Sequence, residues 1–346
     1  MRAALQRILV DSWTRRGGLA LLLWPLSVVY GLLVRLRKLL YQRGVWQVGK
    51  VPVPVVMVGN LVAGGGGKTP TVMALVQHLQ RRRLKVGVVS RGYGRLARDC
   101  REVTANSLAR DVGDEPLLIR EATGAPVFVA EARIDAARAL LLAHPEVNLL
   151  VCDDGLQHYG MHRDIEVCVF DERGLGNGLL LPAGPLREPW PRATDLVLAA
   201  NGHRDGLGFS VQRSLAGHAR RADGSTVTLD ELRNFGGPPY GPLWAVAGIA
   251  RPEAFFAMLR SCGLTLEHTF ALADHASFEG AEWSRGNAPT LICTEKDAVK
   301  LWHRRPDALA VPLVLHVEAA FWDAFDLLLT TRVGAKLSSP HGHTPS

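Results

Sequence analysis

From Leu19 to Val34 the chain is almost uninterruptedly apolar (LALLLWPLSVVYGLLV). Beyond residue 50 the pattern breaks into short apolar runs separated by stretches of helical period. Val51–Val58 (VPVPVVMV) is rich in β-branched residues and ends at Gly59-Asn60, which predicts a buried parallel strand. After a glycine loop, Pro70 to Arg83 places Val72, Leu75, Val76 and Leu79 on one side of a helix. Lys85 to Ser90 predicts the next strand, followed by the turn Arg91-Gly-Tyr-Gly94. Further strands are predicted at Val127–Ala130, Val147–Cys152, Ile165–Phe170 and Leu196–Ala199, with helices at Glu115–Ala122 and Ile134–Ala143. Such alternation predicts the α/β class with a doubly wound parallel sheet.

The character changes after residue 200. Gly202 to Gly224 is polar and glycine-containing, and its alternating patches (Phe209-Ser-Val-Gln, Ser225-Thr-Val-Thr) predict a hairpin-like linker of two strands. A second, smaller α/β unit follows, with strands at Leu243–Ala247, Thr290–Cys293 and Leu313–His316 and a helix at Glu253–Ser261. The predicted organisation is an N-terminal segment 1–45, a core domain 46–205, the linker 206–228, a smaller domain 229–332 and a disordered tail 333–346. His341 and His343 in that tail are expected to be solvated.

Charge changes the picture at the N-terminus. The chain carries a formal +7, yet residues 1–50 hold nine Lys or Arg against Asp11 alone, so the remainder is close to neutral. A broad nucleic-acid-binding face is therefore not expected. Arg15-Arg16 and Arg35, Arg37 and Lys38 flank the apolar run, as on a helix lying in or dipping into a cytoplasmic leaflet with its cations on anionic head groups. The run is short for a span of about 20 residues, Pro25 would kink it, and no small-residue cleavage site follows it. A buried core helix is the alternative reading, and a full span stays open. The five cysteines are scattered with no C-x-x-C pair, which reads as reduced thiols.

Candidate chemistry begins at the glycine loop. In Val62-Ala63-Gly64-Gly65-Gly66-Gly67-Lys68-Thr69 the glycines let backbone N–H groups converge on phosphate oxygens, and the following helix adds its positive end. Lys68 would reach the β/γ-phosphates and the Thr69 hydroxyl would bind Mg²⁺. The common pattern has glycine where this chain has Val62, so the loop is a variant. Asp153-Asp154 end an apolar strand, where a phosphate-loop enzyme needs acids for Mg²⁺ or its water. Asp114-Glu115 begin a helix, where capping is the default explanation. Gly155 to His158, Met161 to Asp164 and Leu181 to Pro189 cluster further polar groups beyond strand ends, where such sheets bind ligands.

The segments VPVPVVMVGNLVAGGGGKTP, SRGYGR, GDEP, DDGLQH-x₃-HRD, LPAGPLREP, ADHASF and TEKDAVKL, in this order, resemble the tetraacyldisaccharide 4′-kinase family of the lipid A pathway. The resemblance runs from the apolar segment to about residue 320. It implies a P-loop NTPase-type core, a second α/β unit and a membrane-associated N-terminal helix. It implies transfer of the ATP γ-phosphate to the 4′-hydroxyl of a tetraacylated glucosamine disaccharide 1-phosphate, at the cytoplasmic face of the inner membrane. It also implies roles: Asp114 as general base with His275 as its partner, and Asp154 and Glu188 with Thr69 on Mg²⁺. Arg91, Arg133, His158 and Arg187 would attend phosphate groups, beside Lys68. Ala273 and Ala276 around the Asp274-His275 pair depart from the family's pattern.

Thr294-Glu295-Lys296-Asp297 follows a strand and looks like the guanine-reading signature, but its lysine is adjacent to its aspartate, so GTP is not inferred and a folding or surface role is expected. Two rival functions share part of the pattern. A membrane-binding nucleotide switch would pair a glycine loop with an amphipathic segment but needs no acceptor pocket. A soluble small-molecule kinase leaves Leu19–Val34 unexplained.

Overall fold

The computed structural model describes residues 12–64, 67–200, 206, 208–233, 242–274, 276, 278 and 290–334. In chain order its elements are α1 (Gly18–Gln42), β1 (Val55–Gly59), α2 (Lys68–Arg81), β2 (Val86–Ser90), β3 (Arg101–Val103), the single turn α3 (Ala109–Val112), α4 (Asp114–Thr123), β4 (Val127–Val129), α5 (Arg133–Ala143), β5 (Leu149–Cys152), β6 (Ile165–Phe170) and β7 (Leu196–Ala200). They continue with β8 (Phe209–Leu215), β9 (His218–Arg220), β10 (Thr226–Thr228), α6 (Leu229–Arg233), β11 (Leu243–Ala247), α7 (Pro252–Ser261), β12 (His268–Ala271), β13 (Thr290–Thr294), α8 (Glu295–Leu301), β14 (Leu309–Val311), β15 (Leu313–Val317) and α9 (Ala319–Leu328). A π-helical turn, Leu329–Val333, closes the described chain.

Nine strands form the larger sheet in the order β15-β8-β7-β6-β1-β5-β2-β4-β3. Neighbours from β8 to β4 are parallel, and β15 and β3 are antiparallel edges. A parallel strand covered on both faces must be apolar throughout, and every residue of β1, β2 and β5 is buried. One face packs Val56 and Val58 with Val72, Leu75, Val76 and Leu79 of α2 and Phe321 and Phe325 of α9. The other packs Met57, Cys152 and Phe170 with Ala136, Ala137 and Leu140 of α5. The loops that leave β1 and β5 at their C-terminal ends bring the glycine loop and the Asp153-Asp154 pair to one edge.

The smaller sheet has the order β10-β9-β14-β13-β11-β12. Two crossings link it to the larger one, at Ala216-Gly217 between β8 and β9 and at Pro312 between β14 and β15. The Ala216 amide donates to the Pro312 carbonyl at 2.9 Å, so the crossings lie side by side.

The structure departs from the sequence expectation in three places. Leu313–Val317, expected in the smaller unit, pairs along its length with β8 in the larger sheet. The segment read as a hairpin-like linker divides: β8 lies parallel to β7, while β9 and β10 pair in the smaller sheet. Alternation identifies a strand but not its partner, and for β8 and β15 the partners lie in the larger sheet. Val333, expected to open a disordered tail, is fully buried in the core beside α9. The rest of that tail, 335–346, lies outside the described residues.

Candidate active site

The loop after β1 is built by its neighbours as much as by its glycines. Val62 is buried and forms an antiparallel bridge with Leu186, and the Ala63 amide donates to Pro185 at 2.8 Å. Those contacts tie the loop to LPAGPLREP and explain a valine where the common motif has glycine, since a glycine would leave this apolar contact empty. Gly64 and Gly67 do require glycine, with φ of +93° and +78°. Gly65 and Gly66 lie outside the described residues. Lys68 opens α2, with Thr69 beside it; both are buried, and no acid occupies that first turn. Lys68 Nζ donates to Asn60 Oδ1 at 3.3 Å and stands 3.5 Å from Asp154 Oδ1.

The two acids after β5 are in different electrostatic states. Asp153 is buried; its Oδ2 accepts from Ser90 Oγ at 3.1 Å, and burial, helped by Glu115 and Asp154, pushes its pKa up to about 7. Asp154 is held below the usual carboxylate range: burial opposes this, but Lys68, Arg187 and Arg133 together outweigh it. Arg187 Nη1 donates to Asp154 Oδ1 at 3.2 Å, and Arg133 Nη2 donates to the Asp154 carbonyl at 2.7 Å. Asp154 has φ of +48°, a left-handed conformation that aspartate tolerates better than most side chains and that clusters at functional sites.

Glu188 is buried, accepts from the Tyr159 hydroxyl at 2.6 Å and pairs with Arg192 at 3.1 Å. Among the described residues no three His, Cys, Asp or Glu side chains gather as a self-sufficient metal site. Thr69, Asp154 and Glu188 are hard oxygen donors, and Glu188 Oε1 and Asp153 Oδ1 are buried without a hydrogen-bond partner. The set fits Mg²⁺, which takes one or two carboxylates and completes its shell with phosphate and water. His158 is pushed down to about 4, by burial first and then by Arg133 and Arg163, so at neutral pH it offers hydrogen bonds without charge. Arg91 is exposed and 4.0 Å from Glu131.

Asp114 is not a helix cap. Gly113 occupies that position and Asp114 is the first residue of α4, with its side chain turned to other work. Lys300 Nζ donates to Asp114 Oδ2 at 2.8 Å and to the Ala276 carbonyl at 3.0 Å. Lys296 Nζ donates to Glu115 Oε1 at 3.3 Å and to Asp274 Oδ1 at 3.1 Å. Of the folding or surface role expected of TEKD, the structure shows the folding one. Asp297 is the structural member, accepting from the Gly248 amide at 3.0 Å and the Thr294 hydroxyl at 2.7 Å. The two lysines, one turn apart on α8, reach across from the smaller unit to the acids of GDEP. Their period was visible in the sequence; their partners, about 185 residues away, were not. His275 lies outside the described residues.

Two cavities meet here. One, of about 630 Å³, lies between the units and is lined by Gly67, Lys68, Thr69, Arg213, Arg251 and Lys296. The other, of about 580 Å³, is lined by Arg91, Arg133, Asp154, His158, Arg187 and Glu188, and by Tyr30, Val34 and Arg37 of α1. Glu115 lines both.

The helix α1 docks by a narrow stripe. Ala20, Ser27 and Gly31 are its buried positions, while Leu22, Leu26, Val29 and Leu33 are more than half exposed. Ser27 Oγ donates to the Leu180 carbonyl at 2.8 Å and accepts from the Ala183 amide at 2.9 Å; the Tyr30 hydroxyl donates to the Arg187 carbonyl at 2.9 Å. The helix thus holds the LPAGPLREP loop and leaves its other faces bare, which a buried core helix does not do. It continues through Pro25 to Gln42 and is long and apolar enough to cross a membrane.

A doubly wound sheet with a phosphate loop, an acid pair after the neighbouring strand and a cationic cleft defines a phosphate-loop phosphotransferase. Residues 19–334 match the model of the tetraacyldisaccharide-1-P 4'-kinase family, and the chain belongs to that family. It is 55% identical to a tetraacyldisaccharide 4'-kinase of Acidovorax sp. (strain JS42) over 92% of this chain and 94% of that protein. It is 52% identical to one of Polaromonas naphthalenivorans (strain CJ2) over 98% of this chain and 99% of that protein. Its fold superposes on LpxK from Aquifex aeolicus, solved in complex with ATP, with a TM-score of 0.77, 26% identity and coverage of 91% of this chain and 99% of that one.

Proposed function

We propose that this protein transfers the γ-phosphate of ATP to the 4′-hydroxyl of a tetraacyldisaccharide 1-phosphate, giving lipid IVA. The observation that carries the reading is the meeting of the two cavities at Glu115, one on the phosphate loop and the other walled by an apolar helix. A nucleotide donor suits the first, and the phosphorylated sugar head of the acceptor suits the charged lining of the second, with its acyl chains left to the exposed faces of α1.

Asp114 takes the proton of the acceptor hydroxyl as its oxygen bonds to the γ-phosphorus and the bond to the β–γ bridging oxygen breaks, releasing ADP. Lys68 and Arg187, now drawn to Asp154, are the cations nearest the transferring group. Thr69, Asp154 and Glu188 would hold Mg²⁺, which supplies charge neutralisation on the phosphates. Arg91, Arg133 and His158 face the acceptor cavity, where His158 donates or accepts a hydrogen bond without adding charge, and His275 partners the base. The exposed faces of α1 support a seat in the cytoplasmic face of the inner membrane, with the flanking cations on anionic lipid.

The test is direct: purified protein, γ-labelled ATP, Mg²⁺ and tetraacyldisaccharide 1-phosphate in detergent micelles. Labelled 4′-phosphorylated lipid is expected. Its absence, with nucleotide binding intact, would overturn the reading.

A further inference from the structure

Two arginines approach the phosphate loop, and they are held differently. Arg173 is spent on structure: its Nε and Nη2 grip the buried Asp171 carboxylate, with Nη2 at 2.7 Å, and its Nη1 donates to the Ala63 carbonyl at 3.2 Å. Arg213 comes from β8, the strand that crosses between the sheets. A Cβ on Gly67 would run into the Arg213 guanidinium, whose Cζ lies 2.9 Å from where that atom would stand. The guanidinium therefore lies against the last glycine before Lys68, on the wall of the larger cavity.

Arg213 is held there by Glu172, at 3.5 Å. Glu172 spends its shorter contact, 2.6 Å, on Arg251, which precedes α7 in the smaller unit and lines the same cavity. One half-exposed carboxylate is thus shared by two guanidinium groups from two different elements. That sets two guanidinium groups on the wall of the cavity that holds the loop, whose N–H groups, in such folds, cradle the α- and β-phosphates. A guanidinium presents a planar fork of donors suited to phosphate oxygens.

We infer that Arg213 is an α/β-phosphate-binding residue, assisted by Arg251, and that Glu172 holds the pair in place until a nucleoside di- or triphosphate displaces it. The inference rests on the kinase reading for the identity of the donor, but it concerns diphosphate binding and not transfer. Arg213 is placed by a strand far along the chain from the loop motif, so no spacing in the sequence links them.

Calorimetric titration with ADP and with ATP tests it. Arg213→Ala should weaken both by a similar factor, about tenfold to a hundredfold, the scale of one charge-assisted hydrogen bond. Arg213→Lys should recover part of the loss, because the cation is kept and only the planar fork of donors is removed. Glu172→Gln should tighten ADP binding, an effect a merely structural arginine–carboxylate pair would not produce. Unchanged ADP affinity in Arg213→Ala, a loss confined to ATP, weaker binding in Glu172→Gln, or a wild-type protein that binds no ADP would each overturn the inference. A wild-type protein that binds ADP through Arg213 but phosphorylates no acceptor would leave it standing and remove the kinase reading instead.

Discussion

Asp114 and Asp153 illustrate how differently two buried acids can serve one site. Asp114 is ion-paired with Lys300 at 2.8 Å, whereas the Asp153 carboxylate accepts from the Ser90 hydroxyl at 3.1 Å. The base proposed at Asp114 would act in the transition state, so Asp114→Ala should lower kcat by roughly 10²- to 10⁴-fold while leaving ATP affinity within about twofold. Near-normal turnover in single-turnover assays would remove it from the chemistry. Asp153 carries a pH signature. An ordinary aspartate titrates near 3.9, and in the fold this one is raised to about 7. Between those values the folded chain holds a proton that the unfolded chain has lost. The stability contributed by the protonated carboxyl is therefore complete below pH ~4 and gone above pH ~7. Asp153→Asn stays neutral throughout, so without nucleotide its Tm advantage over wild type should grow from pH 5 to pH 8. An equal Tm difference at both pH values would contradict the raised pKa.

The N-terminal helix carries two separable faces. Its docking stripe, Ala20, Ser27 and Gly31, repeats at intervals of seven and four, which is one side of a helix. The opposite faces expose Leu22 at 75% and Leu33 at 60%. Leu22→Glu with Leu33→Glu should reduce sedimentation with anionic phospholipid vesicles severalfold while leaving ADP affinity unchanged, because neither side chain touches the nucleotide cavity. Full vesicle binding by that variant would exclude these faces as the membrane contact. Helix α8 shows the limit of a local reading. Its Thr294 cap and buried Ala298, Val299 and Leu301 fix the helix locally, but no local pattern names the partners of Lys296 and Lys300. Their true neighbours belong to α4, and only packing of the two helix starts brings them together.

That packing joins the two units through charge. Lys300 and Asp114 have side chains 15% and 9% exposed, whereas the surface pair of Arg101 and Asp99 is 37% and 52% exposed. Breaking a buried pair by removing one partner costs roughly 3–5 kcal/mol, against about 0–1 kcal/mol for a surface pair. Lys300→Ala should therefore lower thermal stability clearly and reduce turnover by at least about tenfold through the loosened base, with Lys300→Met behaving alike and Lys300→Arg recovering stability first. Arg101→Ala is the control, and if it matched Lys300→Ala in both readouts, the cross-unit clamp would have no special weight. The two cavities, both lined by Glu115, depend on the same junction.

Much of this protein was legible along the chain. The parallel strands were, because burial on both faces forces continuous apolar runs such as VVMVG and LLVC. So were the phosphate loop and the acid pair after β5, because strand, glycine loop, Lys-Thr and helix follow in the order phosphate binding needs and the acids end another strand of the same kind. The amphiphile-like N-terminus was legible as apolar and basic. What folding in three dimensions decided was partnership. It placed β15 beside β8, stationed Lys296 and Lys300 on the GDEP acids, laid Arg213 against Gly67 and used Val62 as a packing residue. Each of these joins residues far apart in the chain. Periodicity and motif spacing report only the local environment of a residue; which distant group completes it is settled by sheet order and by the close approach of packed surfaces.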